Sequence, residues 1–136
     1  MEKEHVCLDS CFLIDVLTGD PGAKKYLEKA EDTDLYTTEI SIYEVALGIL
    51  RSKKGNPSKR FDIFLSFVEN INIIPCIGQF SLEAARLNAT LYKKGSPIDD
   101  MDCFISGMMQ SAGVSKIATR NAKHFSKIPE IQIVQY

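Results

Sequence analysis

The sequence predicts an α/β fold in which a parallel sheet of five strands is covered by helices. Short apolar segments of strand length alternate with longer segments that have the period of an amphipathic helix. Breakers such as Gly55-Asn56-Pro57 and Gly95-Ser96-Pro97 separate these segments. The length of 136 residues, with 45% hydrophobic and 25% charged residues, predicts one packed domain over residues 1–136.

Five segments are predicted strands, because each is too short for a helix and is mostly β-branched or apolar. They cover residues 5–9, 34–37, 71–76, 116–119 and 131–134. The first helical stripe follows Asp20, a predicted N-cap before Pro21 at the first helical position. Four stripes are expected to face the core: Ala23, Tyr26, Leu27 and Ala30; Phe61, Phe64, Leu65 and Val68; Leu82, Ala85, Ala89 and Tyr92; Met101, Phe104, Ile105, Met108 and Ala112.

The charge is distributed unevenly along the chain. Residues 1–50 carry 4 basic and 11 acidic side chains, whereas residues 51–136 carry 12 basic and 7 acidic ones. The net charge of −2 argues against a protein that coats nucleic acid by bulk electrostatics. The asymmetry is typical of an acidic pocket with a basic surround.

Targeting and cysteine signals point to an intracellular protein. No segment approaches the roughly 20 apolar residues that span a bilayer, and the N-terminus is acidic where a secretory signal has an apolar core. The 4 cysteines form no CxxC pair, which disfavours a zinc site or a disulfide framework. We therefore expect a cytoplasmic protein.

Two candidate site residues follow predicted strands. Asp9 ends the apolar run Val6-Cys7-Leu8, so it lies at the carboxyl edge of the sheet, where ligands bind in open parallel sheets. The structural alternative for Asp9 is an N-cap. Glu44 follows the second strand, but Ser41 and Glu44 also have the spacing of a capping box. Taken singly, these residues leave both alternatives open.

A third acidic group opens the helix after Pro97. It contains Asp99, Asp100 and Asp102, and the helix dipole favours acidic residues there by about 0.3–1 kcal/mol each, which is the structural alternative. Asp99 and Asp102 are three residues apart and are expected to share a helix face, whereas Asp100 points elsewhere. Only Asp99 and Asp102 are therefore candidates for a common site.

The joint pattern of these carboxylates predicts a metal site. Asp9, Glu44 and the Asp99/Asp102 pair are all expected at helix starts after strands, so they converge on one edge. Carboxylates about 4 Å apart repel by roughly 4 kcal/mol at an effective dielectric constant of 20, so such a cluster needs protons or a cation. Mg²⁺ or Mn²⁺ prefers oxygen ligands and suits phosphodiester hydrolysis.

The last strand-to-helix junction, residues 119–125, is expected to join the same edge. Arg120 is a candidate phosphate contact, and Lys123 with His124 can extend that contact. Asn121 can ligate a metal or orient a water molecule. Each of these residues taken singly is better explained as a surface residue.

Four segments carry a family resemblance, and they occur in order along nearly the whole chain. They are Val6-Cys7-Leu8-Asp9-Ser10 with Leu13-Ile14-Asp15, residues 40–48 around Glu44, residues 97–106 around Asp102, and residues 118–125 around Asn121. Together they resemble the PIN-domain ribonucleases, and most closely the VapC toxins of VapBC toxin–antitoxin pairs.

The resemblance implies a PIN fold with strand order 3-2-1-4-5 and a Mg²⁺- or Mn²⁺-dependent endoribonuclease. It also implies a homodimer and a small VapB-like antitoxin that blocks the site. By position, Asp9 and Asp102 correspond to the metal-binding aspartates and Glu44 to the third acid. Ser10 and Thr119 correspond to hydroxyls that hold the site in shape.

The sequence departs from the family pattern at the fourth acidic position, where many relatives have Asp and this chain has Asn121. Asparagine can ligate through its carbonyl oxygen but brings no negative charge, so the number of metal ions stays open. Our hypothesis is that Asp99 compensates for the missing acid.

Several alternatives were compared with this interpretation. A signalling receiver domain needs an Asp at the end of the third strand, and residues 72–76 offer none. A haloacid-dehalogenase-like phosphatase needs a second Asp where Cys11 stands. A PIN nuclease that matures cellular RNA and a noncatalytic PIN-like binding module both remain open, and the RNA target is not determined.

Overall fold

Five parallel strands form one sheet in the order β3-β2-β1-β4-β5 in the computed structural model, which describes residues 2–136. All five predicted strands are present, and their ends differ from the predicted ones by at most two residues. They are β1 (Glu4–Leu8), β2 (Thr33–Thr38), β3 (Asn72–Ile74), β4 (Lys116–Ala118) and β5 (Gln132–Val134). The α/β prediction and the strand order implied by the family resemblance are therefore confirmed.

Helices connect consecutive strands and cover both faces of the sheet. They are α1 (Ser10–Thr18), α2 (Pro21–Glu28), α3 (Glu39–Arg51), α4 (Pro57–Val68), α5 (Phe80–Lys93), α6 (Asp100–Ser111) and α7 (Ala122–Phe125). The predicted N-cap at Asp20 is confirmed, because its side chain accepts a hydrogen bond from the Ala23 backbone N–H at 3.0 Å. In the part of the chain that the structure describes, no helix is both long and apolar enough to cross a membrane.

The central strand β1 is buried on both faces. Val6 and Leu8 pack into a core formed mainly by α1 to α4, whereas Cys7 packs into a second core formed mainly by α5 and α6. All three side chains are fully buried. Side chains alternate between the faces of a strand, so a strand covered on both faces needs the uninterrupted apolar run that the sequence shows here.

The apolar stripe predicted for α5 is wrong. Leu82 is 54% exposed and Tyr92 is 74% exposed, while the buried residues of this helix are Ala84 and Leu91. The reason is the close approach of α5 to α6. At Gly107 of α6, an added Cβ atom would lie only 2.5 Å from the carbonyl oxygen of Phe80. The face of α5 that carries Ala84 is therefore the one that packs against α6.

The predicted stripes of α4 and α6 are confirmed in their central turns but not at every residue. Phe64 and Val68 are buried in α4, and Ile105 and Met108 are buried in α6. The exceptions are Leu65 and Met101, which are 39% and 43% exposed, and Ala112, which is exposed just after α6. Both stripes thus face the core through their central residues.

Parallel pairing brings the carboxyl ends of neighbouring strands to one edge of the sheet. Leu8 is paired with Ala118, so the residues that follow β1 and β4 are adjacent. Cys7 of β1 is paired with Tyr36, which places the start of α3 on the other side of β1. The chain segments after β1, β2 and β4 therefore surround a common region.

Candidate active site

Asp9 lies directly after β1, and its side chain is only 4% exposed. It precedes α1, yet its carboxylate makes no capping hydrogen bond to that helix. Instead, its Oδ2 accepts a hydrogen bond from the Thr119 hydroxyl at 2.8 Å, and the Cys11 thiol lies 3.8 Å away. The N-cap alternative therefore does not account for this carboxylate.

Burial raises the pKa of the Asp9 carboxyl above its ordinary value, and the negative charge of Asp102 adds to this effect. Hydrogen bonds from Thr119, the Ser10 backbone and Cys11 act in the opposite direction. Burial is the largest of these contributions, so the ionised form of Asp9 lacks full compensation within the protein.

Glu44 is free of the capping role that its sequence position suggested. Helix α3 begins at Glu39, and the Thr38 side chain caps it by accepting a hydrogen bond from the Ser41 backbone N–H at 3.1 Å. The predicted capping box is therefore wrong, and so is the placement of Glu44 at a helix start, because this residue lies in the second turn. The alternative explanation for Glu44 thus falls away.

The surroundings of Glu44 are acidic. Desolvation raises the pKa of its carboxyl, and the charges of Asp9, Asp102 and Asp99 raise it further. These three residues come from the β1–α1 junction and from the start of α6. Carboxylates from three separate parts of the chain thus lie within one another's electrostatic influence.

Asp102 is 8% exposed and lies in the first turn of α6. Its Oδ2 accepts a hydrogen bond from the Asn121 side-chain amide at 3.1 Å and lies 2.6 Å from Nδ1 of His124. An ionised carboxylate can only accept, so the Asn121 amide nitrogen donates to it, and a hydrogen bond from His124 requires the tautomer with a proton on Nδ1. Asn121 and Asp102, both predicted site residues, are therefore in direct contact.

His124 was considered only as an extension of the phosphate contact, and its contact with Asp102 was not predicted. Its contact with Asp102 joins residues 22 positions apart, across two different helices. The available signal was its spacing, because His124 follows Asn121 by three positions and so reaches the same side of the short helix α7.

Asp99 and Asp100 are the exposed members of the third acidic group. Asp99 is the N-cap of α6, and its side chain accepts a hydrogen bond from the Met101 backbone N–H at 3.3 Å. It precedes the helix, so the shared helix face with Asp102 is not observed. Asp100 is turned towards α5, where it accepts a hydrogen bond from the Asn88 amide at 2.9 Å. Metal ligation by Asp99 stays a prediction.

Arg120 is engaged within the protein. Its guanidinium lies 2.9 Å from both Asp15 and Asp20 and is stacked over the Tyr136 ring at 5.4 Å. The Tyr136 hydroxyl also donates a hydrogen bond to Asp15 at 2.7 Å. This conformation gives Arg120 a structural role, and its predicted phosphate contact stays a prediction. Lys123 is exposed, and its predicted RNA contact is untested.

Thr119 fixes the position of Asp9. Its hydroxyl donates to Asp9 and accepts a hydrogen bond from the Asn121 backbone N–H at 2.9 Å, and the side chain is 4% exposed. The supporting role predicted for Thr119 agrees with this geometry. For Ser10, the contribution seen near Asp9 comes from the backbone.

Thr119→Val is expected to lower the free energy of unfolding by about 1–3 kcal/mol, because it leaves Asp9 and the Asn121 N–H without their buried partner. Urea denaturation followed by circular dichroism measures this change. Thr119→Ser is the matched control, since it keeps the hydroxyl and should lose less. Equal destabilisation of the two variants would show that the hydroxyl contributes nothing.

Oxygen donors dominate this edge of the sheet, but they do not enclose a metal on their own. Within residues 2–136, no three His, Cys, Asp or Glu side chains are close enough in this conformation to form a ligand set. Mg²⁺ commonly uses one or two carboxylates and completes its coordination with water and substrate phosphate oxygens. The site is therefore open rather than closed.

The fold and this acidic edge define an α/β protein with carboxylates gathered at the carboxyl ends of parallel strands. A family model for the PIN domain matches residues 6–131. Because the match covers nearly the whole chain, this protein belongs to the PIN-domain family.

Individual relatives are similar at lower identity. The tRNA(fMet)-specific endonuclease VapC of Salmonella typhimurium is 25% identical over 96 residues, or 71% of this chain and 70% of the relative. DNA-bound VapBC from Salmonella typhimurium has a TM-score of 0.84 and 21% identity, covering 97% of this chain and 98% of that chain. VapBC2 from Rickettsia felis, bound to a promoter DNA fragment, has a TM-score of 0.82 and 23% identity, covering 96% of this chain and 98% of that chain. The two solved structures share the fold described above.

Proposed function

We propose that this chain is a metal-dependent endoribonuclease of the VapC toxin type, acting as a single PIN domain over residues 1–136. The observation that carries the proposal is the convergence of Asp9, Glu44 and Asp102, in which the charge of Asp102 raises the pKa of both other carboxyls. The similarity to a tRNA-specific endonuclease supports RNA as the substrate class.

The donor set fits a hard divalent cation, since it consists of carboxylate oxygens that burial and mutual repulsion leave undercompensated. Asp9 and Asp102 would hold Mg²⁺ or Mn²⁺, with Glu44 as the third acid and Asp99 as an additional candidate ligand. When bound, such an ion neutralises charge on the scissile phosphate and makes water a better nucleophile.

The remaining side chains position these acids. Thr119 holds Asp9, while Asn121 and His124 hold Asp102. Asn121 uses its amide nitrogen for this contact, which supports a positioning role and leaves its carbonyl oxygen for a ligand or a water molecule. A side chain that positions Asp102 by donating a hydrogen bond needs no negative charge. This role fits an asparagine at the fourth acidic position.

The proposal includes partners. Solved relatives are VapBC complexes, which supports a VapB-like antitoxin as the regulator of this chain. A homodimer and a cytoplasmic location complete the proposal. Exposed apolar side chains beside the acidic edge, such as Tyr43 and Ile77 at 63% and 69% exposure, suit an assembly of two copies.

Cleavage of total cellular RNA by the purified, antitoxin-free protein tests the proposal. Wild type with Mg²⁺ or Mn²⁺ should release discrete fragments, and EDTA should prevent this. Asp102→Asn should reduce cleavage by more than about 100-fold, since loss of a metal ligand exceeds the 10- to 100-fold effect of outer-shell changes. Asp100→Asn is the matched control and should cleave like wild type, because Asp100 faces α5.

The other outcomes are equally informative. Cleavage that persists in EDTA contradicts metal dependence. A folded wild type that cuts nothing, and takes up no Mg²⁺ or Mn²⁺ in calorimetry, favours a noncatalytic PIN-like binding module. An Asp99→Asn variant with full metal affinity and full cleavage would exclude compensation by Asp99.

A further inference from the structure

The segment that joins α3 to α4 concentrates unpaired positive charge. Residues 51–60 contain five cationic side chains and no acidic one, in a chain whose net charge is −2. All five are exposed, and none takes part in the ion pairs found among residues 2–136. We call this segment the cationic loop; its cations are Arg51, Lys53, Lys54, Lys59 and Arg60.

The placement of two of these cations works against helix stability. Lys59 and Arg60 lie in the first turn of α4, and this turn contains no acidic residue. The positive end of the helix dipole disfavours a cation at this position. Their charges add to the potential of the helix end, so this part of the surface is suited to a bound polyanion.

A groove connects the cationic loop to the carboxylate site. Glu44 and Gly48 of α3 and Ser52, its C-cap, follow one another at four-residue intervals. All three line a cavity of about 300 Å³ together with Arg60 and apolar side chains of α1 and α3. At 1.5 Å per residue, Ser52 lies about 12 Å from Glu44 along the helix axis. That length corresponds to three or four nucleotides of a stacked strand, at about 3.4 Å each.

Arg60 has a second role in this segment. Its guanidinium donates a hydrogen bond to the Lys54 carbonyl oxygen at 2.8 Å and so connects the first turn of α4 to the residues that follow α3. Lys53, Lys54 and Lys59 carry the remaining exposed ammonium groups near the groove end. They are the side chains whose removal changes charge without removing this bridge.

We propose that the cationic loop binds backbone phosphates of the RNA substrate, three or four nucleotides from the scissile bond, and that it guides the strand along the groove to Glu44. This inference rests on the proposed ribonuclease function. An acidic segment of a protein partner is the competing occupant. RNA is favoured because the groove joins the positive charges to Glu44, one of the carboxylates that are proposed to act on a phosphodiester.

Salt-dependent RNA binding tests the inference. The triple variant Lys53→Ala, Lys54→Ala, Lys59→Ala is compared with its parent in an Asp9→Asn background with Mg²⁺, where the strand is not cut. Fluorescence anisotropy of a labelled single-stranded RNA gives the affinity. Binding near 0.1 M salt should weaken roughly 10- to 100-fold, and the slope of log K against log salt should fall by about 2, at about 0.7 per phosphate contact.

The matched control removes three exposed lysines elsewhere, through Lys24→Ala, Lys25→Ala and Lys29→Ala. It changes the net charge equally and should keep the parent slope. An unchanged slope in the loop variant, or an equal loss in the control, overturns the inference. A loop variant that binds RNA like its parent but no longer binds the antitoxin also overturns the inference, because the loop then serves a protein partner.

The failure of this inference is distinguishable from failure of the proposed function. A wild type that cuts RNA while the loop variant keeps the parent slope overturns only the role of the cationic loop. A wild type that neither cuts nor binds RNA overturns both. Circular dichroism verifies that the exposed substitutions leave the fold intact.

Discussion

Asp9→Asn is expected to abolish RNA cleavage and at the same time to stabilise the fold. The asparagine has the size of the aspartate, and its carbonyl oxygen can still accept the hydrogen bond from Thr119. What it loses is the charge that a divalent ion needs. Cleavage of RNA should therefore fall by more than about 100-fold, beyond the effect of changes outside the ligand shell.

The gain in stability follows from the raised pKa of the buried Asp9 carboxyl. The folded protein holds the proton more tightly than the unfolded chain, so the ionised form lowers the free energy of unfolding above the folded-state pKa. Asparagine carries no charge, so it should raise the free energy of unfolding at pH 7 by about 0.5–2 kcal/mol. A gain of this size is typical of substitutions at sites where activity costs stability. The melting temperature, measured in EDTA, should rise by roughly 2–6 °C.

The pH dependence checks the cause of this gain. Below pH 3.8, the ordinary pKa of an aspartate carboxyl in the unfolded chain, Asp9 is protonated in both the folded and the unfolded state. The stability advantage of asparagine should therefore disappear there. Asp34→Asn is the control, since Asp34 is half-buried at the amino end of β2, where it pairs with Lys3 and His5, and should not affect cleavage. An Asp9→Asn protein that is folded and cuts RNA at the wild-type rate would contradict the site.

The second large effect is expected at Gly107, where α6 contacts α5. An alanine Cβ at this position would lie 2.5 Å from the Phe80 carbonyl oxygen and 3.2 Å from the Ala84 nitrogen. Both are backbone atoms, so the two helices must separate. Gly107→Ala should destabilise the protein by about 1–3 kcal/mol, the usual cost of overpacking. The melting temperature should fall by roughly 3–10 °C.

Gly48→Ala provides the matched control within another helix. Gly48 lies inside α3, and a Cβ atom there meets nothing within 4 Å. Alanine should therefore stabilise the protein by about 0.5–1 kcal/mol through its better helix propensity. If both alanine variants shifted the melting temperature in the same direction, the contact with Phe80 would not be the cause.

Much of this fold is predictable because parallel strands buried on both faces need continuous apolar runs. Val6, Cys7 and Leu8 form such a run and identify the central strand. Helix α5 was different, because its sequence has two apolar faces and periodicity does not say which one meets a partner. The choice depends on Gly107, 23 positions after Ala84 and in another helix.

The acids of the site could be predicted from the sequence, whereas the contacts that hold them could not. Asp9 and Asp102 were identifiable because each follows a strand or opens a helix. The partners that hold them are distant in sequence, as the Asp102–His124 contact shows. The ion pairs of Arg120 could not be predicted for the same reason, since its acceptors Asp15 and Asp20 lie about 100 residues earlier.

The hydrogen bond between Thr119 and Asp9 has a consequence for biosynthesis. It joins residues 110 positions apart, and Thr119 follows β4, the fourth of five strands in the chain. Domains emerge from the ribosome N-terminus first, at about 5–20 residues per second, so Asp9 waits several seconds for its partner. A nascent chain that ends before β4 contains Asp9 and Glu44 but lacks Thr119 and Asn121. The cell that makes this protein is thus exposed to a complete site only after β4 and the residues that follow it have been synthesised.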